Sequence, residues 1–223
     1  MRALNHTLRL GTASLLAMVL GSYVFASTAE ASGPENLSRV NGSVEVGAGE
    51  NRGRVSTVNG SIVIDRDASA EEVETVNGRI ELRRGSRVTE AGTVNGRIRV
   101  EEEVQVAGDL GTVNGDIRVH NGSHIAGHVR TVNGKISLHS AQVGDYVRTA
   151  NGDIELRGSV VEGDIIFKGS RSWLGRLFSF GGDRRPDLVI DAGSVVRGTI
   201  YLHREVDLRI HEDAQVGEIV HSY

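Results

Sequence analysis

The sequence predicts an all-β fold, a single-stranded parallel β-helix (β-solenoid) with about 18–19 residues in each coil. A phrase built on Val-Asn-Gly, with Ala-Asn-Gly in the last copy, occurs seven times. Its asparagines follow one another at intervals of 18, 18, 18, 19, 19 and 18 residues. Glycine supplies 29 of the 223 residues and proline only 2, which favours many turns and few disordered linkers. A short, constant period is typical of stacked coils, and the usual crossover direction predicts a right-handed coil.

Each coil is expected to contain a strand around its asparagine. Aliphatic residues stand one position before, three after and five after the asparagine in every copy, and their shared parity indicates one buried strand face. The column before the asparagine consists of Val40, Val58, Val76, Val94, Val113, Val132 and Ala150. The column three residues after it consists of Val44, Ile62, Ile80, Ile98, Ile117, Ile136 and Ile154. The residues between are mostly polar or charged, so we expect them to face water.

A second, weaker apolar phrase fills the remainder of each coil and continues after the last asparagine. It returns as Val-x-Gly-x-Ile near Val160 and Val195, and in the shorter form Val-Gly-x-Ile at Val216. We therefore expect nine or ten coils within a single domain at residues 32–223, forming a rod of roughly 45 Å at about 4.8 Å per coil. An α-helical solenoid is excluded, because about 18 residues cannot hold two helices and the apolar period is 2.

The asparagine column is predicted to be structural. Asn-Gly favours a bend, because both residues tolerate positive φ, and stacked amides can join into a hydrogen-bonded ladder. The predicted ladder consists of Asn41, Asn59, Asn77, Asn95, Asn114, Asn133 and Asn151. Threonines stand two residues earlier, from Thr57 to Thr149, and are expected to hydrogen-bond along the stack. The alternative is that threonine and asparagine rows both face outward and order water, as in ice-binding solenoids.

Residues 1–31 have the pattern of a secretory signal peptide. Two arginines precede an apolar run at residues 10–26, and Ala29-Glu30-Ala31 is a small-x-small cleavage site. A retained membrane anchor is the alternative, but the run is short and interrupted by glycine, serine and threonine. We therefore expect an exported protein of the periplasm, the cell surface or the extracellular space. Because the chain has no cysteine, lipid attachment at a lipobox, thiol nucleophiles and thiolate metal sites are excluded.

The sequence predicts no catalytic residues, no cofactor and no metal site. His120 and His139 share a column on adjacent coils, but that column otherwise has the character of a solvated, charged stripe. The acidic run at residues 101–103 lies among arginines on a convex rod, whereas glycoside hydrolysis needs two carboxylates in a cleft. We therefore expect a protein that is not an enzyme. The net charge of −4 with interleaved signs also disfavours a nucleic-acid partner.

One segment, residues 170–187, interrupts the repeat. It contains the single tryptophan and a set of apolar and basic side chains at the spacing of a short helix face. The candidate contact residues are Trp173, Leu174, Leu177, Phe178, Phe180, Arg171 and Arg176. The segment either folds back over the rod or protrudes and touches a membrane surface or a partner through residues 171–185.

The phrase Thr-Val-Asn-Gly-x-Ile resembles the bacterial β-strand-repeat domain of unknown function that is described as an adhesin. It stands at Thr57, Thr75, Thr93, Thr112 and Thr131, with a variant at Thr149. The later Val-x-Gly-x-Ile phrases resemble bactofilins, which are polymer-forming cytoskeletal β-helix proteins. Bactofilins are mostly cytoplasmic or membrane-tethered, so the signal peptide departs from that family.

Together these resemblances cover most of residues 39–220. They favour a non-enzymatic, exported cell-envelope β-solenoid that acts as a scaffold or adhesin. Its expected partners are other copies of itself, joined end to end or laterally, or envelope and cell-wall components. A polysaccharide-active or glycan-binding β-helix is the alternative function, and the water-ordering surface is a minor one.

Overall fold

The structure is a computed structural model that describes residues 33–169 and 185–223. Gly33–Tyr223 forms one compact unit, and every regular element within the described ranges is a β-strand. In chain order the strands are β1 (Leu37–Asn41), β2 (Val44–Val46), β3 (Asn51–Asn59), β4 (Ile62–Ile64), β5 (Ser69–Asn77), β6 (Ile80–Leu82), β7 (Arg87–Asn95), β8 (Ile98–Val100), β9 (Gln105–Val106), β10 (Leu110–Asn114), β11 (Ile117–Val119), β12 (His124–Ile125), β13 (Val129–Arg130), β14 (Ile136–His139), β15 (Gln142–Val143), β16 (Val147–Thr149), β17 (Ile154–Arg157), β18 (Val160–Val161), β19 (Ile165–Phe167), β20 (Asp187–Ile190), β21 (Val195–Val196), β22 (Ile200–Leu202), β23 (Asp207–Ile210), β24 (Gln215–Val216) and β25 (Ile219–His221). The predicted signal peptide lies outside the described residues.

The predicted β-solenoid is confirmed by a nine-stranded parallel sheet that contains one strand from each coil. Its order is β2-β4-β6-β8-β11-β14-β17-β20-β23, which gives about nine coils. Strands pair in register, so that Ile80 lies beside Ile98 and Ile98 beside Ile117. The two aliphatic columns after the asparagine are buried, with Ile80, Ile98 and Ile117 all 0% exposed. These columns form the core of the rod.

The second sheet changes along the rod, which the sequence analysis did not predict. The strands β3, β5 and β7 are continuous and nine residues long, whereas later coils carry two short strands in the same place. β7 pairs with both β9 and β10, through Val88 beside Val106 and Ala91 beside Leu110. Two residues separate Val88 from Ala91 in β7, whereas three separate Val106 from Leu110 in the next coil. The extra residue forms a corner that replaces the continuous strand. A coil with two strands becomes a coil with three.

The valine column before the asparagine is not buried, so that part of the sequence interpretation is wrong. Val40, Val58 and Val132 are 57%, 40% and 41% exposed, while the neighbouring threonines face the core. The strand before the corner buries the threonine two residues before the asparagine, and the strand after it buries the residue three after. Alternation is therefore shifted by one residue at the Asn-Gly bend, because the chain changes direction there.

The insertion leaves the stack of coils intact. Ile154 of β17 pairs directly with Leu188 of β20, although the two are almost two repeat lengths apart in the chain. Residues 170–184 of the insertion lie outside the described ranges, and the regular coil resumes with β20. Within the described residues there is no helix long and apolar enough to cross a membrane.

The last coil leaves its apolar side chains partly uncovered. Leu208, Ile210, Val216 and Ile219 point to the same interior columns as the buried residues of the preceding coil, yet each is half-buried. Leu188, Ile190, Val196 and Ile200 occupy those columns one coil earlier and are at most 2% exposed. The C-terminal end of the described stack therefore presents apolar surface.

Candidate functional site

The asparagine side chains form one continuous hydrogen-bonded column on the outside of the rod. Each asparagine from Asn59 to Asn151 donates from Nδ2 to the Oδ1 of the asparagine in the preceding coil, at 2.8–3.0 Å. Arg204 terminates the column, because its Nη1 donates to Asn151 Oδ1 and to the Ala150 carbonyl at 3.0 Å each. Aligned amides polarise one another, so that the ladder stiffens one edge of every coil that contributes to it.

Close approach between coils requires the glycine after the asparagine from Gly60 to Gly152, whereas Gly42 has open space at its Cβ position and a left-handed φ of 100°. A Cβ at Gly78 would lie 2.5 Å from the carbonyl carbon of Gly60, and one at Gly96 would lie 2.6 Å from that of Gly78. Backbone φ is not positive at these three glycines, so the expected left-handed bend is not the reason for them. Because no real side-chain carbon approaches a carbonyl so closely, only glycine fits in this column from Gly60 onward.

The threonine side chains donate hydrogen bonds to the carbonyl groups of these corner glycines from inside the rod. Thr57, Thr75 and Thr93 donate from Oγ1 to the carbonyls of Gly42, Gly60 and Gly78 in the preceding coil, at 3.0–3.1 Å. All six threonines are at most 4% exposed. The alternative in which threonine and asparagine both form outward rows is therefore wrong, because a buried hydroxyl cannot order surface water. The phrase Thr-x-Asn-Gly is thus a coil-stacking device.

The outward side of the nine-stranded sheet, here called the flat face, carries rows of charged side chains. In its C-terminal half the charges are paired: Glu155 contacts both Lys135 and Arg157, and Arg157 lies 3.4 Å from Asp191. Burial of Glu155 raises the pKa of its carboxyl group, but Lys135 and Arg157 outweigh burial and hold that pKa below its ordinary value. This half of the flat face is satisfied by its own ion pairs.

The N-terminal half of the flat face carries an arginine patch, defined as Arg79, Arg97 and Arg99. All three side chains are exposed, and none has a carboxylate oxygen within 4.0 Å among the described residues. The patch borders a shallow depression of about 340 Å³ that is also lined by Glu81, Glu101 and Arg118. In the sequence these arginines belong to the polar positions expected to face water, but nothing in the pattern indicates that they lack partners.

The neighbouring carboxylates are already engaged, which explains why the arginine patch is unpaired. Asp116 accepts a hydrogen bond from Arg118 Nη2 at 3.0 Å and another from the Lys135 backbone N–H at 3.0 Å. Glu81 lies 3.5 Å from Arg83, which also pairs with Asp65 at 3.2 Å. The positive charge of the patch is therefore available to a ligand.

The stacked histidines that the sequence singled out do touch. The rings of His120 and His139 meet edge to face with centroids 5.8 Å apart. Burial, the charge of Arg99 and His139 lower the pKa of His120. Within residues 33–169 and 185–223, no cluster of three or more histidine, aspartate or glutamate side chains is placed to hold a metal ion.

His128 is a buried titratable group for which the sequence pattern predicts no role. It is 6% exposed, its Nδ1 lies 2.9 Å from Asp109 Oδ1, and its ring stacks on Tyr146 at 4.5 Å. Burial lowers the pKa of His128, and the charge of Asp109 opposes this only in part. Its Nε2 has no hydrogen-bond partner among the residues that the structure describes. The surroundings of His128 therefore disfavour its protonated form.

The seven candidate contact residues of the insertion, from Arg171 to Phe180, lie outside the described residues. Comparison with protein-family models, with curated proteins and with solved structures gives no match. The features of the described residues that bear on function are therefore the repeat, the flat face and the end of the stack.

Proposed function

We propose that the protein is a non-enzymatic, exported scaffold or adhesin of the bacterial cell envelope that joins a second copy through its C-terminal coil. The observation that carries this proposal is the apolar surface at that end of the stack. The signal-peptide pattern supports export, and the resemblance to adhesin-like and bactofilin repeats supports a role in assembly.

The last coil offers two kinds of contact. β23 ends the nine-stranded sheet, while β24 and β25 end the two arms of the other sheet, so each has one unpaired edge within the described stack. Such edges readily accept another strand. The same three strands carry four half-buried apolar side chains, those of Leu208, Ile210, Val216 and Ile219. Full burial of an aliphatic side chain contributes about 1.5–3 kcal/mol, so that completing the burial of four would contribute several kcal/mol.

We favour a tail-to-tail pair over a head-to-tail chain. In the first coil Val44 and Val46 are 1% and 0% exposed and Leu37 is half-buried, so the described part of the N-terminal coil offers less apolar surface than the last coil. Two identical ends that meet around a twofold axis form a closed dimer, whereas unlike ends that meet form an open filament. The dimer would be a rod of about twice the length with both flat faces accessible.

Light scattering coupled to size-exclusion chromatography tests the association. Residues 32–223 should elute as a dimer that dissociates on dilution, and Ile219→Lys should yield a folded monomer, because a charge would be buried at the joint. Val58→Lys, at an exposed valine on the side of the rod, should remain dimeric. A monomeric parent protein, or a dimer unaffected by Ile219→Lys, would refute the tail-to-tail contact, and growing filaments would favour head-to-tail packing.

Export is tested separately by expressing the full chain in a bacterium and sequencing the N-terminus of the protein recovered from each fraction. We expect a mature protein that begins near Ser32 in the periplasmic or extracellular fraction. An intact N-terminus in the cytoplasm would contradict export while leaving the association result untouched.

A further inference from the structure

We propose that the arginine patch binds a linear acidic polysaccharide whose sugar rings carry carboxylates, laid across β6, β8 and β11. This inference rests on the proposed adhesin function and names its ligand. The patch is on the side of the rod, away from the C-terminal coil that the proposed dimer uses.

The sheet fixes the spacing of the three arginine backbones. Arg79 and Arg97 immediately precede Ile80 and Ile98, which pair directly, so the two backbones lie about 4.8 Å apart. Arg97 and Arg99 are two residues apart on one strand, about 6.6 Å along its direction. Because these strands have stacked neighbours on both sides, the backbone beneath the patch needs no ordering when a ligand binds.

The arginines can use their full donor capacity on a ligand. Each guanidinium presents a planar fork of N–H donors that matches a carboxylate in a bidentate pair. The nearby acids Asp116 and Glu81 are held by Arg118, Lys135 and Arg83, as described above. Binding therefore does not have to break an ion pair of the patch, so that a new charge-assisted hydrogen bond contributes net affinity.

Two carboxylates beside the arginine patch favour a sugar over other polyanions. Glu81 and Glu101 line the same depression and can accept hydrogen bonds from sugar hydroxyl groups. The residues that line the depression include no aromatic side chain on which a base could stack, which disfavours a single-stranded nucleic acid. The lining isoleucines, Ile80 and Ile98, are 0% exposed, so the patch offers no apolar surface to a membrane.

Isothermal titration calorimetry with alginate oligosaccharides, which are linear polyuronates, tests the proposal in calcium-free buffer. The protein should bind them and should not bind neutral dextran oligosaccharides. Arg97→Gln/Arg99→Gln should weaken binding roughly tenfold or more, which corresponds to at least about 1.4 kcal/mol. Binding should also weaken as salt rises, because the contacts are ionic and exposed.

The matched control is Arg66→Gln/Arg87→Gln. It removes the same charge at two exposed arginines outside the patch, and we expect its affinity to stay within about twofold of the parent protein. No binding of alginate by the parent protein, equal binding by the Arg97/Arg99 variant, or tighter binding of single-stranded DNA would each overturn the proposal. Light scattering on the same samples separates the two proposals: a dimer that binds no polyuronate refutes this one alone, and a monomer that binds refutes the association alone.

Discussion

Gly96→Ala tests the close approach of coils at the Asn-Gly corner. The added Cβ would lie 2.6 Å from the Gly78 carbonyl carbon, nearer still to its oxygen, and 3.2 Å from Thr93 Oγ1. Relieving this contact moves the Gly78 carbonyl away from Thr93, which now donates to it at 3.1 Å. Overpacking costs about 1–3 kcal/mol and a lost internal hydrogen bond about 1 kcal/mol. The expected loss is about 2–4 kcal/mol of unfolding free energy.

Urea unfolding followed by circular dichroism measures this loss, and thermal unfolding should show a midpoint lower by roughly 5–15 °C. Gly47→Ala is the control, because its Cβ would meet only the flexible Glu50 side chain at 3.3 Å, and we expect a change within about 0.5 kcal/mol. If Gly96→Ala were as mild as this control, the coils would not be in contact at the corner and the explanation of the glycine column would be refuted.

The ladder and the buried histidine give two further predictions. Asn95→Ala removes two side-chain hydrogen bonds and should cost about 1–2 kcal/mol in urea unfolding, roughly twice the cost of Asn41→Ala, which removes one; equal costs would contradict the ladder. Since the pKa of His128 is lowered in the folded protein, the unfolded chain takes up a proton more readily, so His128 should reduce stability as pH falls below about 6.5. His128→Phe, which keeps the ring stacked on Tyr146, should lose less stability than the parent between about pH 7.5 and 5.5, and an unchanged pH dependence would contradict the assignment.

The buried face of the strand that follows each Asn-Gly corner could be predicted from the sequence, because alternation within a strand is a local property. Residues three and five after each asparagine point the same way whatever the rest of the coil does, and Ile98 and Val100 are buried as expected. The asparagine ladder is similarly local, because identical residues at a constant period must stack in register in parallel coils.

The alternation could not be carried through the Asn-Gly corner. The prediction counted parity from Val94 through Asn95 and Gly96 to Ile98, but the chain turns between them and Val94 lies outside while Thr93 lies inside. Which face a residue takes beyond a bend depends on the bend's geometry, and a period-2 count does not contain that information. The buried hydroxyl of Thr93 was missed for the same reason.

The change from two strands to three left a trace in the sequence that the spacing alone could not interpret. The interval from Asn95 to Asn114 lengthens to 19 residues, and the structure places the extra residue between Val106 and Leu110. An insertion elsewhere in the coil would only have enlarged a turn. The lack of ion-pair partners in the arginine patch could not be predicted for a different reason. It depends on which acids Arg83 and Arg118 bind in the folded protein.

The direct test of the whole account is a pair of engineered disulfides that measures whether one repeat forms one coil. The chain has no cysteine, and Val63 lies beside Glu81 on adjacent strands, about 4.8 Å apart and within the distance that a disulfide spans. Val63→Cys/Glu81→Cys should therefore lose both free thiols on mild oxidation while remaining a single chain on a gel. Val63→Cys/Arg99→Cys places the thiols two coils apart, about 10 Å, and should keep both free. Closure of the second pair, or failure of the first in a folded protein, would contradict the stacking on which the ladder and the arginine patch depend.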